Sequence, residues 1–129
     1  MKRNKREYEI CKSIATYLRL QFPDIIFHFD LAGLNLSRAQ AGMMKSIQGG
    51  RGFPDLIIYR RKGNHLALCL EVKKEETKIY LKDGVTVVSD EHIREQVVML
   101  KKLNSEGYCA LFGIGLDKCI AIINFYLKS

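Results

Sequence analysis

Asp55, Glu71 and Lys73 are the residues of this sequence whose types and spacing suit chemistry. Asp55 follows Gly52-Phe53-Pro54 and opens the apolar run Leu56-Ile57-Ile58-Tyr59; Glu71 and Lys73 flank Val72 at the end of a second run, Leu68-Cys69-Leu70. The polar segment Arg60 to His65, with its Gly63-Asn64 turn signal, separates the runs and predicts an antiparallel β-hairpin. With the turn centred near Gly63, facing residues have numbers that sum to about 126, which sets Asp55 opposite Glu71. Side chains alternate along a strand, so Glu71 and Lys73 share one face while Val72 points into the opposite layer. Two carboxylates brought this close resist double ionisation unless a cation lies between them, and hard oxygen ligands favour Mg2+ or Mn2+ over zinc. An ammonium beside such an ion orients a water or steadies the charge of a pentacoordinate phosphorus. The chemistry implied is metal-dependent phosphodiester hydrolysis. Taken singly, a turn-capping aspartate and a Glu-x-Lys surface ion pair are ordinary; their mirror-symmetric placement is what favours a site.

The elements that must position these residues are legible in outline. Residues 6–21 predict a helix, 25–30 a strand, 37–47 a short helix, 78–88 a small hairpin turning at Lys82-Asp83-Gly84, and 91–105 an amphipathic helix. Tyr108 to Ile114 reads as a buried strand, and Asp117 is placed to cap a last helix ending at Lys128. The sum is an α/β fold with a mixed central sheet flanked by helices, in one domain spanning 1–129.

Pro54-Asp55 followed by Glu71-Val72-Lys73 resembles the signature of the PD-(D/E)XK nuclease superfamily, whose restriction-endonuclease-like core is the expected fold. With Gly52 to Leu56, the upstream segment Leu36-Ser37-Arg38-Ala39-Gln40-Ala41-Gly42 and the downstream segment His92-Ile93-Arg94-Glu95-Gln96, the chain looks like a stand-alone VRR-NUC domain of the phage type. The resemblance spans nearly the whole chain. It implies structure-selective DNA cleavage of the Holliday-junction-resolvase kind, a homodimer, and a phage or prophage protein acting in a bacterial cytoplasm. It also implies a metal set of Glu7, Asp55, Glu71 and Val72, with Lys73 acting on the water and Gln96 beside the active site. A glutamate of the first helix is required, and both Glu7 and Glu9 are available. At about 100° per residue, Glu7 lies on the stripe of Ile10, Ile14, Tyr17 and Leu18, and Glu9 points away from it. Glu7 is therefore preferred, with Glu9 in reserve.

The net charge of +7, from 21 Lys and Arg against 14 acids, suits an anionic polymer held through its phosphates. Clusters lie at Lys2-Arg3-Asn4-Lys5-Arg6, Arg60-Arg61-Lys62, Lys73-Lys74 and Lys101-Lys102. Gly49-Gly50-Arg51-Gly52 lacks the Lys-Ser or Lys-Thr of a nucleotide P-loop and precedes a strand; it reads as a plain turn or as a loop close to substrate, with Arg51 available to a phosphate. Cys11, Cys69, Cys109 and Cys119 form no C-x-x-C pair and are expected as reduced, buried thiols. His28, in an alternating strand, is expected to be a partly buried structural residue, and the three histidines show no metal-ligand spacing. No segment is long and apolar enough to span a bilayer, which agrees with a cytosolic protein. The competing reading is a non-catalytic DNA-binding or recombination-accessory module that keeps the nuclease fold. An exposed stripe at 37–47 is the candidate dimer face.

Overall fold

A computed structural model describes residues 5–30 and 36–129, with the side chain of Lys5 outside the description. The elements run α1 (Lys5–Gln21), β1 (Phe27–Phe29), α2 (Arg38–Ser46), β2 (Leu56–Ile58), β3 (Leu68–Lys73), α3 (Glu91–Ser105), β4 (Cys109–Ile114) and α4 (Leu116–Lys128). Lys2, Arg3 and Asn4 of the basic amino-terminal cluster lie outside the described residues.

The four strands form one sheet in the order β1-β2-β3-β4, antiparallel between the first three and parallel between β3 and β4. The β2–β3 register pairs Leu56 with Leu70, Ile57 with Cys69 and Ile58 with Leu68, each pair symmetric about Gly63 as the hairpin reading requires. A parallel neighbour cannot be reached by a tight turn, so the chain crosses from β3 to β4 through α3.

Alternation divides the side chains between two layers. Leu56, Ile58, Leu68, Leu70 and Val72 face α1 and α4, where they join Ile14, Leu18, Cys119 and Ile123 in the main core. Cys69 and Ala110 face the other way and pack with Leu100 of α3. Most of these side chains are fully buried, and each contributes roughly 2 kcal/mol relative to remaining in water. Every residue of β3 is buried, as befits the strand with helices over both faces. Polar brackets fix the layers. Asn104 of α3 accepts from Ala110 N–H at 2.9 Å and donates to Ala110 carbonyl oxygen at 2.9 Å, while the Tyr126 hydroxyl of α4 donates to Arg60 carbonyl oxygen at 2.6 Å.

Four sequence expectations are corrected. The strand expected over 25–30 is ladder-paired only at Phe27–Phe29, because Pro23-Asp24 begins in a turn and the flanks hold by single bonds, Tyr59 N–H to Ile26 and Asp30 N–H to Asp55. Asp117 does not cap α4. Gly115 occupies the cap position at φ 87°, a left-handed conformation suited to glycine, and Asp117 lies in the first turn. His28 is exposed and stacks on Tyr59 with ring centroids 5.6 Å apart. Cys109 is half-buried, whereas Cys11, Cys69 and Cys119 are buried.

The helix at 38–46 begins with a capping box in which Ser37 and Gln40 satisfy each other's main-chain N–H groups. It buries no side chain. The hairpin at 78–88 reduces to a single bridge between Tyr80 and Val87, with the Asp83 carboxylate accepting from Val85 and Thr86 N–H groups at its tip.

Candidate active site

The same alternation that sends Val72 into the core sends Glu71 and Lys73 toward α3. Asp55, two residues before Ile57, shares that face. It stands just outside the ladder, and its Oδ2 accepts the Val72 main-chain N–H at 2.8 Å. The predicted neighbourhood of Asp55 and β3 thus exists, one residue beyond the facing position. From α3, Gln96 reaches down so that its Nε2 donates to Glu71 Oε2 at 2.9 Å. Lys73 Nζ lies 3.7 Å from the same oxygen.

These four polar residues are as buried as the core: Asp55 retains 6% exposure, Glu71 1%, Lys73 6% and Gln96 3%. Burying charge costs several kcal/mol per ion unless it is compensated, so stability alone does not account for the cluster. Buried polar groups gathered in this way mark candidate functional sites.

The loop that carries Asp55 is held against α3 at main-chain level. Gly52 adopts φ 78°, and a Cβ there would lie 2.6 Å from the carbonyl oxygen of Glu95 and 2.9 Å from the nitrogen of Gln96. Only glycine permits this approach. Arg51, beside it, pairs with Glu95 at 3.2 Å and remains largely exposed. A groove of about 680 Å³ runs between Gly49-Gly50-Arg51 and α3, with Phe53, Met99 and Lys102 in its walls.

Glu7 arrives from the opposite layer. Its Oε2 accepts the Lys74 N–H at 3.3 Å, one residue past the end of β3. The neighbouring Arg6 forks onto Glu76 with contacts of 2.7 and 2.6 Å and ties this turn of α1 to the segment after β3. Glu9 is exposed. Of the two first-helix glutamates, Glu7 is the one whose carboxylate bonds the chain just past the end of β3. Among the described residues, no three His, Cys, Asp or Glu side chains gather closely enough to hold a metal by themselves. Asp55 and Glu71 nevertheless suit a hard divalent cation by their donor type, and the buried Gln96 Oε1 has no hydrogen-bond partner among the described residues.

A solved structure, a VRR_NUC domain protein, matches this chain with a TM-score of 0.67 at 24% identity, covering 98% of this chain and 91% of the other. The chain has the VRR-NUC fold. No protein-family model matches the sequence, and no curated protein does. The four-stranded mixed sheet flanked by helices agrees with the restriction-endonuclease-like core expected from Asp55, Glu71 and Lys73.

On this VRR-NUC scaffold the structure adds one residue that the sequence reading passed over. His92 stands four residues before Gln96, and its Nε2 lies 3.2 Å from Gln96 Nε2. Its pKa is lowered, first by burial and then by the charge of Lys73. The i, i+4 spacing on one helix face was the available signal. In the sequence, His92 carries no role beyond its place in the segment His92 to Gln96. Among the described residues, no helix is long and apolar enough to cross a membrane.

Proposed function

We propose that the chain is a Mg2+- or Mn2+-dependent endodeoxyribonuclease that hydrolyses phosphodiester bonds in branched DNA, four-way junctions foremost, with residues 1–129 acting as one nuclease domain. The observation that carries this reading is the burial of Asp55, Glu71, Lys73 and Gln96 together on the α3 face of the sheet.

Asp55 and Glu71 would hold the ion, with the Val72 carbonyl as a third donor and Glu7 at the rim. When bound, the ion would supply a Lewis acid that neutralises charge on the phosphate and acidifies the attacking water. Lys73 orients that water and stabilises the charge that builds on the phosphoryl oxygens. Gln96 fixes one oxygen of Glu71, leaving the carboxylate oriented toward the reacting phosphate. Departure of the 3′ oxygen leaves a 5′-phosphate on the product.

Affinity rests on dispersed phosphate contacts, consistent with the charge of +7 and with Arg60-Arg61-Lys62 and Lys101-Lys102 on the surface. A junction is cut on two strands related by a two-fold axis, so one site per chain calls for a C2 homodimer.

The test is cleavage of labelled four-way junction, flap and linear duplex by wild type and Lys73→Ala in Mg2+, Mn2+ or EDTA. Paired symmetric cuts that need both the metal and Lys73 are expected. Cuts confined to flap or duplex would redirect the substrate assignment, and a strictly monomeric species in light scattering would remove junction resolution. Tight binding without cutting would favour an accessory module on the same fold.

A further inference from the structure

Gln96 is asked to do two things with one amide nitrogen. Nε2 lies 2.9 Å from Glu71 Oε2 and 3.2 Å from His92 Nε2, while Oε1 is buried with no partner among the described residues. A neutral amide has two N–H hydrogens, which suffice for both contacts only if each neighbour accepts. An ionised carboxylate always accepts. Imidazole Nε2 accepts only when it is bare, with the ring proton on Nδ1. The reversed amide would set its oxygen against the oxygen of an ionised Glu71, with no hydrogen between the two acceptors.

We propose that His92 is a positioning residue of the active site: as the Nδ1–H tautomer, it accepts the second amide hydrogen of Gln96 and fixes which way that amide faces Glu71.

The proposal deepens the nuclease reading and rests on it. The surroundings favour the neutral ring. Asp90 caps α3 by accepting from Ile93 N–H at 3.0 Å, which places His92 in the first turn, where the helix dipole opposes an imidazolium. Burial and Lys73 act in the same direction, against Asp90 and Glu95. The ring also borders a hollow of about 430 Å³ lined by Arg51, Asp90, Glu91 and Glu95, so it has room to present its Nδ1–H to water. Locking the amide leaves Gln96 Oε1 as a fixed buried acceptor beside Glu71.

Two measurements test this. In the metal-free protein, imidazole 15N shifts should show His92 as the Nδ1–H tautomer, relaxing toward the commoner Nε2–H form in Gln96→Ala. An Nε2–H tautomer in wild type would overturn the proposal whatever the enzyme does. In cleavage assays, His92→Leu should lower kcat about tenfold, the scale of losing a partner that orients an active-site group, with KM within about twofold. His92→Gln, which restores an acceptor oxygen at similar reach, should recover most of that loss. On a Gln96→Ala background His92→Leu should have no further effect; an equal fall on both backgrounds, or none on wild type, would refute the positioning role. A wild type that fails to cut with any metal would instead sink the nuclease reading, and the 15N result would still report on the tautomer.

Discussion

The Asp55 carboxylate accepts the main-chain N–H of Val72 at 2.8 Å, so a residue read as chemical also holds two strands together. The two roles separate by substitution. Asp55→Asn keeps an oxygen for Val72 but removes the charge, so cleavage should be lost while Tm stays within a few degrees of wild type. Asp55→Ala leaves a buried N–H unsatisfied and should destabilise by about 1–3 kcal/mol. Equal Tm for the two variants in thermal denaturation would show that the bond carries no stability.

Lys73 adjoins Glu71 and is almost wholly enclosed, so it adds little to affinity for a phosphate backbone that stays outside. Lys73→Ala should lower kcat by about 100-fold or more, as expected for loss of a group that acts on the reacting atoms. DNA Kd by gel shift should change by less than about threefold. Loss of binding together with cleavage would contradict the division between chemistry and adhesion.

Gly52 brings the Asp55 loop onto the backbone of α3. Any side chain there clashes with the main chain of Glu95 and Gln96, and φ 78° adds strain of about 1 kcal/mol or more for a non-glycine residue. Gly52→Ala should therefore lose stability and cleavage together, because relief of the clash moves Asp55 away from Gln96. Gly42→Ala, at a helical position where an added Cβ meets nothing within 4 Å, is the stability control and should melt at or slightly above the wild-type temperature. A Gly52→Ala protein with native melting and native rate would dispose of this coupling.

The core thiols set an alkaline limit. Burial pushes Cys69 up to about 11 and Cys119 up to about 12. A folded-state pKa above the unfolded one means that the protonated thiol favours the fold. This contribution is complete below the unfolded value of about 8.5 and is lost as pH rises toward the folded values. Urea midpoints should therefore hold steady up to roughly pH 8 and fall between about pH 9 and 11. Cys69→Ala/Cys119→Ala, although less stable throughout, should show a shallower alkaline decline; an unchanged slope would remove the thiols as its cause.

The sequence disclosed the site most fully where local rules act alone. The symmetric register about Gly63, the shared face of Glu71 and Lys73, and the span of α3 all follow from alternation, turn chemistry and helical period. What it withheld depends on packing between distant segments. Gln96 meets Glu71 only because α3 lies over β3, and the burial of Gln96 has no local signature. Gly115 took the cap expected of Asp117 because the chain must turn sharply from β4, where its N–H is bound by Lys73 carbonyl oxygen at 2.7 Å. Helical phase favours Glu7 over Glu9, yet phase cannot reveal that the Glu7 carboxylate meets the Lys74 N–H just past the end of β3.

Helix α2 holds itself together with its own cap and gives nothing to the interior. In evolutionary terms, its outward residues, Met43 and Ile47 among them, can change without passing through the filter of thermodynamic stability. Selection on this segment is then free to follow whatever it touches, at a pace set by the counterpart and not by the architecture that carries it.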